Sequence, residues 1–285
     1  MTDIEKSQVL KIIRFALSED LGDGDHTSLA TIPKSAMGEA IMLAKEEGIL
    51  AGAEVAALVF QTVDPELQVN IALEEGQTLK KGDVILTVKG RSQSILSAER
   101  TALNFIQRMS GIATFTNRIV QKLSGLKTKL LDTRKTTPGN RITEKMAVKT
   151  GGGQNHRFGL YDMIMIKDNH ADFAGGLVNA INKTHAYLDR LGKKLKIEVE
   201  VRNFSELELV LNMRGIDRVM LDNFTPEDLK KAVQQIDGRL ETEASGGISI
   251  DTIRDFAESG VDFISVGALT HQIKSLDISL KAAHQ

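Results

Sequence analysis

No cysteine occurs in the 285 residues, which excludes disulfides and thiolate metal sites and is compatible with a reducing cytosol. Aromatic residues make up 4% of the chain, too few for the base-stacking platforms of a nucleic-acid binder. No apolar run reaches the roughly 18 residues of a membrane span. The start, "MTDIEKSQVLKIIRFALSEDLG", reads as an amphipathic helix of mixed charge and lacks the zones of a secretory signal. A cytoplasmic location is therefore expected. What is present is the composition of a soluble globular protein with a sizeable core, 41% apolar and 26% charged, long enough for one large domain or two ordinary ones.

The net charge of −2 excludes a general polyanion binder, but it hides an asymmetry. Residues 127–170 hold Lys127, Lys129, Arg134, Lys135, Arg141, Lys145, Lys149, Arg157 and Lys167 against Asp132, Glu144, Asp162 and Asp168. Nine cations against four carboxylates give +5 in this window, so the rest of the chain carries −7. A cationic patch on an acidic protein points to a small anionic ligand.

The first hundred residues mix short strands, as in "GEAIMLAKEEGILAG" and "LQVNIALEEGQTLKKGDVILTVKG", with the helix "AGAEVAALVFQTV". A long second helix, "SQSILSAERTALNFIQRMSGIATFTNRIVQKL", is expected to break near Gly111. From about residue 127 the pattern becomes strand, polar terminus, helix, repeated. The strands are "KTKLLDTRK", "YDMIMIKDNH", "KIEVEV", "DRVMLDNF", "RLETEASGG" and "VDFISVGAL". Such alternation implies parallel βαβ units, and six in succession fit a closed or nearly closed β/α barrel. Period-two alternation puts Glu198 and Glu200, Arg218 and Asp222, and Glu241 and Glu243 on charged faces. Helices cover the apolar faces, so these charges should line a polar barrel interior.

Barrel sites lie at the carboxyl ends of the strands. Those ends carry Asp132, Arg134 and Lys135; Lys167, Asp168 and Asn169; Glu200; Asp222 and Asn223; Ser245, Gly246 and Gly247; and Gly267. The loop "KTGGGQNHRFG" adds His156, the best histidine candidate, and Arg157. The small-residue turns "EASGGIS" and "SVGALTH", each followed by a helix, sit where barrels commonly bind phosphate. Strand-end arginines suit carboxylate and phosphate forks, and lysine acts as a point charge. The same cations could instead pair with Glu198, Glu200, Glu241 or Glu243. Glu200 and Asp222 could hold Mg²⁺ or ribose hydroxyls, or serve only as salt-bridge partners.

The blocks "LDTRKTTPGNR", "EKMAVKTGGGQNHRFGLYDMIMIKDNH", "IEVEV", "VMLDNF", "EASGGI" and "VGALTH", in this order, closely resemble the quinolinate phosphoribosyltransferase family. "EDLGDGDHTS" and "SAERTALNFIQRMSGIAT" match its amino-terminal half, so the resemblance covers nearly the whole chain. It implies an α/β protein, an incomplete, about six-stranded β/α barrel preceded by an α+β sandwich-like amino-terminal domain. The expected boundaries are residues 1–112 for the first domain, 113–270 for the barrel, and 271–285 for a C-terminal helix packing back on the first domain. The resemblance further implies a homodimer or higher homo-oligomer with shared active sites. The reaction joins quinolinate and phosphoribosyl pyrophosphate into nicotinate mononucleotide, pyrophosphate and CO₂, with Mg²⁺ as cofactor. Carried over residue by residue, Arg100 reaches the neighbouring subunit's quinolinate, while Arg134, His156, Arg157 and Lys167 bind its carboxylates. Lys135, Glu200 and Asp222 handle ribose and pyrophosphate, the two carboxylates holding Mg²⁺ directly or through water. Ser245, Gly246, Gly247, Gly267 and Lys135 bind the phosphates. Gln272 stands where the family often has serine.

Other readings remain at this point. The molybdenum-associated relatives share much of the scaffold. Lys167 ends an apolar strand and could serve a Schiff-base lyase barrel. "EEGQTLKKGDVILTVKG" resembles the hairpin of a biotinyl or lipoyl carrier.

Overall fold

The computed structural model describes residues 1–283, which form two compact units. The first comprises Met1–Asn117, Thr136–Gly152 and the chain from Ala268 onward; the second comprises Arg118–Lys135 and Gly153–Gly267. No helix among the described residues is long and apolar enough to cross a membrane.

Helix α1 (Asp3–Leu21) starts at a capping box: the Thr2 hydroxyl accepts the Glu5 N–H at 3.2 Å and Glu5 accepts the Thr2 N–H at 2.8 Å. Two donors that a helix start leaves unpaired are thereby satisfied. Val9, Ile13 and Leu17 recur every fourth residue and form its buried stripe. Then come α2 (His26–Thr31), β1 (Met37–Ala44), β2 (Gly48–Ile49), α3 (Ala53–Val63), β3 (Gln68–Ile71), β4 (Thr78–Leu79), β5 (Val84–Arg91) and α4 (Ser92–Lys122). β1 and β3 both pair antiparallel with β5, whereas β4 pairs only with β2 in a separate ladder. The stretch around Lys80 and Lys81 thus joins strands of two different sheets, so the carrier-type hairpin is not formed.

The second unit begins with β6 (Lys129–Leu131). After α5 (Arg141–Thr150), which belongs to the first unit, follow β7 (Ile164–Ile166), α6 (Asp168–Ala174), α7 (Leu177–Leu191), β8 (Ile197–Val201), α8 (Phe204–Leu211), β9 (Arg218–Asp222), α9 (Pro226–Ile236), β10 (Glu241–Ser245), α10 (Ile253–Ala257) and β11 (Phe263–Ser265). All six strands are parallel, in the order β6-β11-β10-β9-β8-β7. The series runs round the sheet and leaves β6 and β7 at its two edges, the incomplete six-stranded barrel that the sequence implies. Every residue of β8 is buried. Ile197, Val199 and Val201 fill one face, and Glu198 and Glu200 the other. Glu198 and Glu243 are fully buried and Arg218 nearly so, so the charged faces do line the interior.

The free edge of β6 is bridged by the glycine-rich loop. Gln154 N–H donates to the Leu130 carbonyl at 2.8 Å, and Asp132 N–H donates to the Gln154 carbonyl at 3.1 Å. This single turn of ladder satisfies edge groups that would otherwise lack partners and brings His156 alongside Asp132.

After α11 (Ala268–His271) the chain returns to the first unit as β12 (Ile278–Ala282), antiparallel to β1 with Met42 opposite Leu280. The expected C-terminal helix is therefore a strand within the described residues; His284 and Gln285 lie outside them. The cause is non-local: β1 has an open edge, and pairing with the chain end satisfies its backbone groups. The expected break at Gly111 is also absent, since α4 runs through it. A Cβ there would collide with the Lys274 carbonyl oxygen, so the glycine serves close approach of the returning chain. Gly111→Val is expected to lower unfolding free energy by about 2 kcal/mol. An unchanged urea midpoint would reject this packing account.

Candidate active site

The strand-end residues named from the sequence divide into three groups. The first surrounds the β6 edge. Asp132 is fully buried and its Oδ1 accepts the His156 N–H at 2.8 Å. His156 is buried, with Nδ1 accepting the Arg157 N–H at 2.6 Å and Nε2 lying 2.9 Å from Glu198 Oε2 and 3.4 Å from Glu243 Oε2. Arg157 is half-buried and donates from Nη1 to the Met163 carbonyl at 3.2 Å. Burial, and then the charge of Arg134, hold its guanidinium below the usual arginine range. The charge of Arg134 thus disfavours that of Arg157, a cost that a bound anion would relieve. Arg134 and Lys135 are exposed just beyond β6.

The second group spans β7, β8 and β9. Lys167 Nζ donates to Glu200 Oε2 at 2.8 Å. Its backbone N–H donates to His170 Nδ1 at 3.0 Å. Asp222 is half-buried and accepts from Asn223 Nδ2 at 2.6 Å. Burial and then the Glu200 carboxylate raise Asp222 above the ordinary carboxylate range. Lys167 is paired with a carboxylate rather than isolated in an apolar pocket, so the setting for Schiff-base chemistry is not found.

The third group is the glycine turn. Gly246 has φ +99°, and a Cβ on it would collide with the Asn223 side chain. Asn223 N–H donates to the Ser245 carbonyl at 2.8 Å, tying the ends of β9 and β10 together. The helix expected directly after these glycines starts only at Ile253 and has 5 residues, while the one after Gly267 has 4. An anion at these turns would therefore meet backbone N–H groups with little helix dipole behind them. Arg100 lies outside this unit, exposed on α4.

Sequence reasoning left Glu198, Glu243 and Arg218 as generic ion-pair partners. They are the centre of the barrel interior. Arg218 lies 3.0 Å from Glu243 Oε2 through Nη1 and 3.0 Å from Glu241 Oε2 through Nη2, with its guanidinium 4.0 Å above the Phe263 ring. Burial pulls the His156 imidazole down, but Glu198 and Glu243 outweigh it and raise it to about 9. Burial and then Glu243 push Glu198 up to about 7. Burial raises Glu243 too, yet His156 and Arg218 bring it below its ordinary value. Period-two alternation was the signal that could have singled these residues out.

A six-stranded β/α barrel with cations and carboxylates gathered at its strand ends defines a barrel enzyme of the class that handles small anions. The narrower assignment comes from similarity. The model for "Quinolinate phosphoribosyl transferase, C-terminal domain" matches residues 112–281, and that for the N-terminal domain matches residues 25–110. A chloroplastic nicotinate-nucleotide pyrophosphorylase [carboxylating] of Arabidopsis thaliana is 46% identical, over 95% of this chain and 81% of the relative. A probable nicotinate-nucleotide pyrophosphorylase [carboxylating] of Bacillus subtilis is 42% identical, over 96% and 93%. The solved structure of the nicotinate-nucleotide pyrophosphorylase of Francisella tularensis superposes with TM-score 0.90 at 42% identity, over 97% of this chain and 96% of that one. The chain belongs to the quinolinate phosphoribosyltransferase family.

Proposed function

We propose that this protein transfers the phosphoribosyl group of phosphoribosyl pyrophosphate to quinolinate and releases the 2-carboxylate as CO₂, giving nicotinate mononucleotide and pyrophosphate for NAD biosynthesis. The observation that carries this reading is the half-buried Arg157, whose charge is disfavoured by the charge of Arg134, at the same strand ends that carry Lys167 on its Glu200 partner; cations so placed suit a ligand with two adjacent carboxylates. Arg134, Arg157 and Lys167 take the dianion, and Arg100 comes from the neighbouring subunit of a homodimer or higher homo-oligomer. His156 supports them from the interior. Lys135 meets the pyrophosphate; Ser245, Gly246, Gly247 and Gly267 take the 5′-phosphate.

The chemistry needs no protein nucleophile. The bond from ribose C1 to the pyrophosphate oxygen breaks with its electron pair on the leaving group, and the pyridine nitrogen lone pair forms the new bond. Glu200 and Asp222 stabilise the cationic sugar between these events. Loss of CO₂ leaves an electron pair at the ring carbon beside the positive nitrogen, which stabilises it until a solvent proton arrives. Glu200 and Asp222 also fit Mg²⁺, because burial and the Glu200 carboxylate disfavour the charge of Asp222 and a divalent cation held by one or two carboxylates removes that cost. Bound there, Mg²⁺ would supply charge neutralisation for the pyrophosphate. A cysteine-free chain supports a reducing compartment such as the cytoplasm.

Purified protein incubated with quinolinate, phosphoribosyl pyrophosphate and Mg²⁺ is expected to form nicotinate mononucleotide, with no product when nicotinate replaces quinolinate. Chelation of Mg²⁺ by EDTA is expected to stop turnover. Silence with quinolinate would overturn the reading and turn attention to the molybdenum-associated type of relative.

A further inference from the structure

We infer that Glu198 and Glu243, buried in the barrel interior, are positioning residues that act through His156 to aim Arg157 at the acceptor's carboxylates. This rests on the reaction proposed above. Among the described residues, the loop that carries Arg157 is tied to the β6 edge by two backbone hydrogen bonds, Gln154 to Leu130 and Asp132 to Gln154, and Arg157 Nη1 donates to the Met163 carbonyl at 3.2 Å. A carboxylate fork needs its backbone oriented as well as its charge placed. The backbone restraint comes from the neighbouring His156. Its N–H is fixed by Asp132 at 2.8 Å, its Nδ1 accepts the Arg157 N–H at 2.6 Å, and its Nε2 faces Glu198 and Glu243 at 2.9 and 3.4 Å. Both ring nitrogens are therefore turned to protein groups, and the imidazole acts as a strut between β8, β10 and the Arg157 peptide.

The strut is anchored at its inner end. Glu243 is held by Arg218 at 3.0 Å, and Arg218 is clamped by Glu241 and the face of Phe263. Neither Glu198 oxygen accepts a well-aligned hydrogen bond among the described residues. Glu198 is held by attraction to His156, so its energy depends on where that ring sits. The three side chains also offer ligand atoms within 4.8 Å of one another, as a metal site would. Charge compensation argues for the strut: Arg218 already pairs with Glu243 and Glu241, and the proton of His156 Nε2 lies toward Glu198 and Glu243, so the cluster holds its own counter-charge without a metal ion.

The test is a double-mutant cycle in the intact protein. Glu198→Gln with Glu243→Gln is expected to raise KM for quinolinate about tenfold, with kcat and KM for phosphoribosyl pyrophosphate changed by less than about threefold. His156→Ala is expected to do the same alone and to add almost nothing in the doubly substituted background, because residues acting through one strut are not additive. Ser265→Ala, which removes a milder contact to Glu243, is the second variant should the first not fold; a rise of about twofold to threefold in the same KM is expected. An active wild type whose variants show additive effects, or equal rises in both KM values, overturns the inference and leaves the proposed reaction standing. A wild type inactive with quinolinate overturns the reaction itself, and this inference with it.

Discussion

Arg157→Ala is expected to lower kcat/KM for quinolinate by about a thousandfold while changing KM for phosphoribosyl pyrophosphate less than about threefold. The size follows from desolvation. Arg157 is already half-buried and its charge is disfavoured by its surroundings and by Arg134. A bound dianion would neutralise both guanidinium groups, and truncating one partner of such a desolvated pair leaves the other charge uncompensated. That costs 2–5 kcal/mol as an order of magnitude; about 4 kcal/mol corresponds to a factor of about 10³. Arg134 is exposed, so Arg134→Ala is expected to cost less, about a hundredfold. Arg157→Lys should recover little, because an ammonium is a point charge without the planar fork. Steady-state kinetics with each substrate varied in turn separate these cases. Recovery by lysine to within threefold would show that Arg157 supplies charge alone.

The barrel was legible because its signals are local. "KIEVEV" displays its two faces by alternation, and Thr225, Pro226 and the spacing of Leu229, Ala232 and Ile236 mark α9, whose start Thr225 caps at the Asp228 N–H. The misread elements are those decided at a distance. β12 is a strand because β1 has an open edge, and Gly111 lies mid-helix because Lys274 approaches it. Neither cause is visible in the adjoining residues. In the candidate site, the kinds of residue were readable and their directions were not. Three glycines before Gln154 mark a loop, but its bridge to β6 consists of two backbone hydrogen bonds that no side chain advertises. Once that bridge forms, His156 faces inward and Arg157 follows it in the chain. His156, between Asn155 and Arg157 after three glycines, was readable as a ligand candidate. That its ring also faces Glu198 and Glu243 was not.

The buried cluster also sets how stability should vary with pH. His156 faces Glu198 on β8 and Glu243 on β10, with Arg218 of β9 behind them and the Arg157 N–H at Nδ1. That last contact disfavours a proton on Nδ1, so the second proton of the cluster is shared with the carboxylates and the three groups titrate as a unit. Either way the folded protein keeps until about pH 9 a proton that an unfolded histidine releases near 6.5. Between those values the native state binds more protons than the unfolded state, so stability falls as pH rises. The contribution is full below pH 6.5 and gone above about pH 9, worth about 3 kcal/mol at 1.36 kcal/mol per unit. Glu198, raised from 4.5 to about 7, acts with the same sign at lower pH. Glu243 is lowered and acts with the opposite sign, losing stability as pH falls through its folded value. The histidine contribution is therefore cleanest above pH 7. Urea unfolding followed by circular dichroism should show the wild type losing about 3 kcal/mol more than His156→Gln from pH 6.5 to 9. Equal slopes in the two proteins would place the proton outside this cluster and reduce His156 to a neutral hydrogen-bonding strut.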